Sequence, residues 1–381
     1  MAHNRKIIYF AGFILSLPIA LTAYINSSFL EAYVGTYYIG FIYAAASLIT
    51  IWALFGMPRV LARWGNRGTA VIFSVLTLLS FLGLASGASA YIIIPSFILF
   101  FLASTFVLVS LDIFIEDFSQ SGSIGKFRGF YLIIINSAWV VSQTISGGIL
   151  AKSSYRGIYI FSALFMGLVV AIFILFLRDF RDPAYKKHST LKVLRFFWHN
   201  KNISAIYIIN LTLKFFYAWM VIYSPIYLHE HIGLDWNQIG LIFTIMLTAF
   251  FTQYHLGKYS DRHGEKKILG WGFIISGLAT LVIPTIFVPS VLIWALVLFI
   301  TRIGAAMIEV MSESYFFKAV SEENADAIDF FRNTGPLSYL IAPLLAVPIL
   351  FYAPSFEYIF YVLGAIMLGG FLLTERLKDI R

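Results

Sequence analysis

The stretch Gly257-Lys258-Tyr259-Ser260-Asp261-Arg262-His263-Gly264-Glu265-Lys266-Lys267 concentrates charge in a short turn flanked by long runs that carry none. Residues 236 to 257 before it and 268 to 301 after it contain no Asp, Glu, Lys or Arg apart from Asp235 at the border. A helix needs roughly 20 mostly apolar residues to cross the hydrocarbon core of a bilayer, so the turn reads as a loop joining membrane crossings. Working outward with the same ruler, residues 7 to 30, 32 to 58, 129 to 151, 157 to 177, 333 to 356 and 358 to 374 each hold one crossing. The runs 68 to 111 and 268 to 301 are too long for one helix and break at Ser86-Gly87-Ala88-Ser89 and between Pro284 and Pro289, so each is a helical hairpin. Residues 203 to 227, apolar except for Lys214, complete a set of about twelve, and the tenth crossing continues past residue 301 through Arg302 and Glu309.

Composition agrees with this pattern and excludes other classes. Of 381 residues, 60% are hydrophobic and 12% charged, against about a quarter charged in soluble domains. With no cysteine, disulfides, thiolate metal sites and thiol nucleophiles are excluded. The phosphate-loop pattern G-x-x-x-x-G-K-[ST] is absent, which excludes an ATP-driven motor on this chain, and no metal or cofactor is expected. Arg5-Lys6 before the first apolar run lacks a small-x-small cleavage site, so that run is read as a retained helix.

The net charge of +8 follows from topology. With the N-terminus inside, nearly all basic residues fall in cytoplasmic segments: Arg5 and Lys6, Arg59, Arg63 and Arg67, Lys126 and Arg128, the run from Arg178 to Lys201, the Gly257 loop, Lys318, and the C-terminal tail. Only Lys152 and Arg156 lie outside, while Lys214, Arg302 and Arg332 sit within or at the start of helices. This asymmetry places a multi-pass protein in the cytoplasmic membrane with both termini inside, and nucleic acid is not needed to explain the charge.

The chain also repeats itself. Phe29-Leu30, Val34-Gly35 and Ile39-Gly40 correspond to Tyr227-Leu228, Ile232-Gly233 and Ile239-Gly240 at an offset of about 198 to 200, and Asp112 and Glu116 correspond to Glu309 and Glu313. The expected organisation is an all-α integral membrane protein of two pseudo-symmetric six-helix bundles, 1–178 and 202–381. A cytoplasmic linker with a short amphipathic helix, 179–201, joins them.

With these features in place, the Gly257 loop resembles the G-x-x-x-D-R-x-G-x-[KR] signature of the major facilitator superfamily. The matching loop after the second crossing is degenerate, with Pro58 and Ala62 where glycine and aspartate stand, leaving Arg63-Trp64-Gly65-Asn66-Arg67. Helix 5 of the family's drug antiporters carries G-x-x-x-G-P-x-x-G-G, and here only Gly147-Gly148 match. Gly257 and Gly264 suit close approach and permissive φ, and Asp261 suits a helix N-terminus. The resemblance implies that Asp261 latches the cytoplasmic side near Arg128 and Gly129. It also implies a gate cluster of Arg262, Lys266 and Glu313 and a pairing of Arg63 or Arg67 with Asp112 or Glu116. Pro18, Gly335-Pro336 and Pro343 are expected bending points.

The resemblance further implies that crossings 1, 4, 7 and 10 line the transport path. Lys214 and Arg302 lie near mid-membrane on two of these, where a charge costs at least about 2.5 kcal/mol. Two cations at one depth with no carboxylate at that level point to an anionic or strongly polar solute. The structural alternative is a Lys214–Glu309 bridge. Asn210, Tyr217, Gln143 and Asn136 are further candidates for solute contact, although each could instead bond a neighbouring helix. Glu309, with Asp112 as its first-half counterpart, is placed to carry a coupling proton, and its protonation would change which cation is engaged.

The expected function is secondary transport of a small solute by alternating access, with protons a candidate partner and the chain acting as a monomer in the lipid bilayer. Efflux or flipping of amphipathic drugs or lipids by the same fold is the alternative. A polytopic enzyme would need a clustered catalytic set, and the seven histidines are scattered through tails and loops.

Overall fold

The computed structural model describes residues 2–118, 124–177, 197, 199–253, 255–257, 264–320 and 330–378, with backbone alone for 2–6, 8, 116–118 and 124–132. No strand occurs among the described residues. The first half contains α1 (Ala2–Ala23), α2 (Asn26–Val34), α3 (Thr36–Leu54), α4 (Met57–Ser86), α5 (Ala90–Phe118), α6 (Ile124–Lys152) and α7 (Tyr155–Phe176). The second contains α8 (Lys201–Ile226), which runs into a π turn at Tyr227–His231, and α9 (Trp236–Leu247), which tightens into a 3-10 segment at Thr248–Thr252. Then come α10 (Glu265–Val282), α11 (Val291–Ala319), α12 (Thr334–Tyr352) and α13 (Tyr358–Thr374). Ten helical stretches are long and apolar enough to cross a membrane, the bent pair α1–α2 makes an eleventh, and the 17-residue α13 supplies a further apolar helix. The chain is thus an all-α membrane protein, and its helices match the expected twelve crossings.

Both expected hairpin breaks are present. Helix α4 stops at Gly87, whose left-handed φ of 61° ends it, and glycine takes that conformation at no steric cost. Helix α10 gives way to a tight turn, Ile283–Thr285, before α11 starts at Val291. The bend in the first crossing falls at Tyr24-Ile25, a correction to the expectation at Pro18, which α1 accommodates in its interior. There the Thr22 hydroxyl bonds back to the Pro18 carbonyl at 3.0 Å and the Ile25 N–H reaches only to the Thr22 carbonyl, so the winding tightens and breaks. Pro336 likewise sits in the first turn of α12, where a missing N–H costs nothing. The expected 179–201 linker lies outside the described residues apart from Phe197 and residues 199–201; there the Asn200 side chain accepts from the Ile203 N–H and caps α8.

The chain divides into two compact units, Met1–Lys187 with Asp235–Gly240, and His188–Leu234 with Leu241–Arg381. Within the first, α4 packs on α5 and α7, α1 on α6 and α7, and α3 on α5. Within the second, α10 packs on α11 and α13, α8 on α12 and α13, and the 3-10 segment on α11. Counted by crossing, the second set of neighbours is the first shifted by six. The repeat extends to the backbone: Gly35 and Gly233 have φ of 77° and 79°, and Gly65 and Gly264 have 67° and 80°.

Candidate functional site

Three crossings of the second unit meet at Glu309. On α8, Lys214 and Tyr217 are three residues apart and so share a face. On α11, Arg302 and Glu309 are seven apart, two turns along one face and about 10 Å along the axis. The Lys214 Nζ donates to Glu309 Oε1 at 2.9 Å. Glu309 Oε2 accepts from the Tyr217 hydroxyl at 3.1 Å and from Gln253 Nε2 at 2.9 Å. Both oxygens of the carboxylate are therefore engaged by donors from two neighbouring crossings.

Arg302, only 9% exposed, lies against two rings. Its guanidinium carbon is 4.0 Å from the centre of Tyr217 and 4.2 Å from that of Phe250. Two aromatic rings this close suit a planar delocalised cation, which is attracted to ring faces while its N–H groups remain available for hydrogen bonding. Tyr217 is shared, with its ring against Arg302 and its hydroxyl on Glu309. The site is thus a linked set of two cations, one carboxylate and two rings.

This geometry corrects the reading that no carboxylate reaches the level of the two cations. Glu309 is two turns from Arg302 in sequence, but the long Lys214 side chain closes the distance. The structure also gives different partners to two expected solute contacts. Asn210 is buried, donates to Ser312 Oγ at 3.3 Å and accepts from the Thr334 hydroxyl at 2.8 Å, tying α8 to α11 and α12. Gln143, also buried, donates to the Ala20 carbonyl at 2.9 Å and ties α6 to α1. Both amides are used by helix packing, as polar groups in membranes commonly are. Asn136 is half-buried on α6.

Among the expected gate residues, Asp261 and Arg262 lie outside the described residues, and the Glu116 side chain is likewise undescribed. Asp112 and Glu313 are half-buried, and Arg63 is exposed. Arg67 donates to the Phe173 and Ile174 carbonyls at 3.1 and 2.7 Å, capping the end of α7. Lys266 bonds the Glu375 carbonyl at 3.1 Å and pairs with its carboxylate at 3.6 Å, instead of joining Glu313. Gly264 has a positive φ of 80°, which glycine alone adopts freely, whereas a Cβ at Gly257 would meet only Val310, at 3.8 Å.

Sequence reading missed Phe250 and Gln253, which lie in and just after the 3-10 segment. It also missed Glu265, 2% exposed at the start of α10, which accepts from Lys318 at 2.6 Å and Ser314 at 3.0 Å. Its charge favours a helix N-terminus and that of Lys318 a helix C-terminus. Among the described residues, no cluster of three His, Cys, Asp or Glu could hold a metal ion.

A model of the family described as "Major Facilitator Superfamily" matches residues 7–250 and 221–379. No curated protein matches the chain significantly. Among solved structures, a mutant of the nucleoside transporter NupG superposes with a TM-score of 0.80 at 11% identity, covering 98% of this chain and 100% of that one. The POT family transporter PepTSo gives 0.77 at 11% identity over 98% and 97%. A bacterial homologue of the human lysosomal transporter Spinster, inward-facing and unoccupied, gives 0.70 at 11% over 98% and 94%. At this identity the likeness carries the fold.

Proposed function

The chain belongs to the Major Facilitator Superfamily, and with that as premise we propose that it moves a small anionic or strongly polar solute by alternating access, with Lys214, Arg302 and Glu309 at the centre of its site. It is a transporter and not an enzyme, and its setting is a lipid bilayer. The finer reading is supported by one observation: Glu309 ties Lys214 to Tyr217 and Gln253 while Arg302 lies against the same tyrosine, two cations around one carboxylate. A purely structural bridge needs one cation. Lys214 and Arg302 both come together around Tyr217, and a cationic cluster of this kind in a membrane-spanning bundle suits an anionic or strongly polar group on the solute.

Coupling follows from the same carboxylate. In the resting arrangement Glu309 occupies the Lys214 ammonium, and a proton on Glu309 releases that ammonium to the solute. Binding of solute and proton then support each other, and a proton gradient drives accumulation. The basic loops orient the protein with both termini cytoplasmic in the cytoplasmic membrane.

Thermal stabilisation of the purified protein by anionic, neutral and cationic small solutes tests the reading, because a ligand that binds only the folded state raises its stability. Anions are expected to stabilise the wild type and to leave Lys214→Ala and Arg302→Ala unshifted. Stabilisation by neutral or cationic amphiphiles alone would make the cluster structural and bring drug or lipid export forward. In proteoliposomes, uptake that stays fully active after collapse of the proton gradient would remove the coupling.

A further inference from the structure

We propose that the 3-10 segment Thr248–Thr252 reads the charge on Glu309 and passes it to the end of its crossing at His255–Gly257, with Phe250 and Gln253 as positioning residues. The inference rests on the site proposed above and concerns how a neighbouring crossing responds to it. In 3-10 winding, side chains at i and i+3 eclipse one another. Phe250 and Gln253 are three apart, and one lies against Arg302 while the other donates to Glu309. In α winding the same two side chains would be splayed by about 60°, which pulls one of them off its charge.

The segment is five residues long, more than the three or four that such winding usually sustains. Local chemistry supports it: the Thr248 hydroxyl bonds the Ile245 carbonyl at 2.6 Å, the Thr252 hydroxyl bonds the Ala249 carbonyl at 2.7 Å, and the Gln253 N–H closes on the Phe250 carbonyl. Threonine back-bonding of this kind bends helices. The remaining support comes from across the interface, through Arg302 and Glu309. A hydrogen bond to an ionised acceptor is roughly twice as strong as one to a neutral acceptor, so neutralising Glu309 loosens its hold on Gln253 and the segment rewinds toward α. Rewinding five residues shortens the crossing by about 2.5 Å and rotates its downstream end by about 100°. That end is His255–Gly257, where the crossing runs into the charged turn. Occupancy of the site is thereby converted into movement at the mouth of the turn.

The absence of cysteine makes the test clean. A single reporter, His255→Cys, is placed at an exposed position just past the segment, and Lys267→Cys, exposed on α10, serves as control. Maleimide labelling rates of the purified protein are compared with and without Glu309→Gln. The rate at 255 is expected to change about fivefold, the size of one hydrogen bond's net worth, with the rate at 267 unchanged. In a Gln253→Leu background the rate should start shifted and Glu309→Gln should add little. An unchanged rate at 255, or an equal response in both backgrounds, overturns the proposal. Thr248→Val with Thr252→Val leaves Glu309 and Gln253 in place and should shift the reporter in the same direction as Glu309→Gln; no shift rejects the role of the winding. Loss of anion stabilisation with the labelling response intact would defeat the solute reading alone, and the reverse would defeat this one alone.

Discussion

Glu309 and Arg302 occupy one helix face, yet they ask different things of their surroundings. The carboxylate needs donors and finds them in Lys214, Tyr217 and Gln253; the guanidinium sits against two rings, at 4.0 and 4.2 Å from their centres. Arg302→Lys keeps the charge and loses the delocalised plane, and a compact ammonium contacts two rings at once less well than a guanidinium does. A desolvated cation–π contact is worth about 2 kcal/mol, of which an ammonium keeps part, so the substitution is expected to raise the anion concentration for half-maximal thermal stabilisation about tenfold. An unchanged midpoint would mean that charge alone matters at this position and that the ring contacts are incidental. Lys214 and Arg302 were legible in the sequence because a charge within an apolar run is conspicuous. Phe250 was not, since nothing distinguishes it from the other phenylalanines of a lipid-embedded helix. Gln253 was not either, because a neutral amide near the end of a crossing carries no such signal. Glu265 and Lys318 were hidden among loop charges that topology already explained.

At the scale of elements, the loop after the second crossing lacks the aspartate and first glycine of its counterpart, yet the glycine that closes each loop has the same backbone conformation. Gly65 has φ 67° and ψ 169°, and Gly264 has φ 80° and ψ 160°. That region is essentially reserved for glycine, and a side chain there costs about 1–3 kcal/mol. Gly65→Ala and Gly264→Ala are each expected to lower the temperature of half-inactivation by several degrees, while Gly369→Ala, helical and with nothing within 4 Å of its added Cβ, is expected to be neutral or slightly stabilising. Equal effects at all three would detach the turn geometry from stability. The hairpin breaks were legible because glycine and proline punctuate an apolar run. The break at Tyr24-Ile25 and the tightening at Thr248–Thr252 were not, since threonine back-bonding and cross-helix contacts cause them and these have no residue-type signature. Close approach is another cause visible only in three dimensions: a Cβ on Gly304 would lie 2.6 Å from the Ser276 nitrogen and 2.7 Å from the Gly272 oxygen, so small residues let α10 and α11 meet.

At the scale of the whole molecule, the sequence repeat and the packing repeat are independent observations of one architecture. The offset of about 198 to 200 rests on a few aligned residues, whereas the packing of each crossing on its neighbours recurs with a shift of six crossings. Orientation has a different basis, since it depends on which loops hold Lys and Arg. Under the orientation proposed from the basic loops, Lys152, at the last turn of α6, falls in the small outside set, and Lys267, at the first turn of α10, in the large inside set. Both are exposed, and no native cysteine competes for label. In intact cells a membrane-impermeant maleimide is therefore expected to label Lys152→Cys and to reach Lys267→Cys only after permeabilisation. The reverse pattern would invert the protein and make the Gly257 loop an external gate. Three crossings separate the two positions: α7, α8, and α9 with its 3-10 continuation. An odd number of passages puts the two reporters on opposite faces whichever way the protein is inserted. Labelling of both in intact cells would therefore mean that one of those three helices does not span, and α9, with its tightened end, would be the first to suspect.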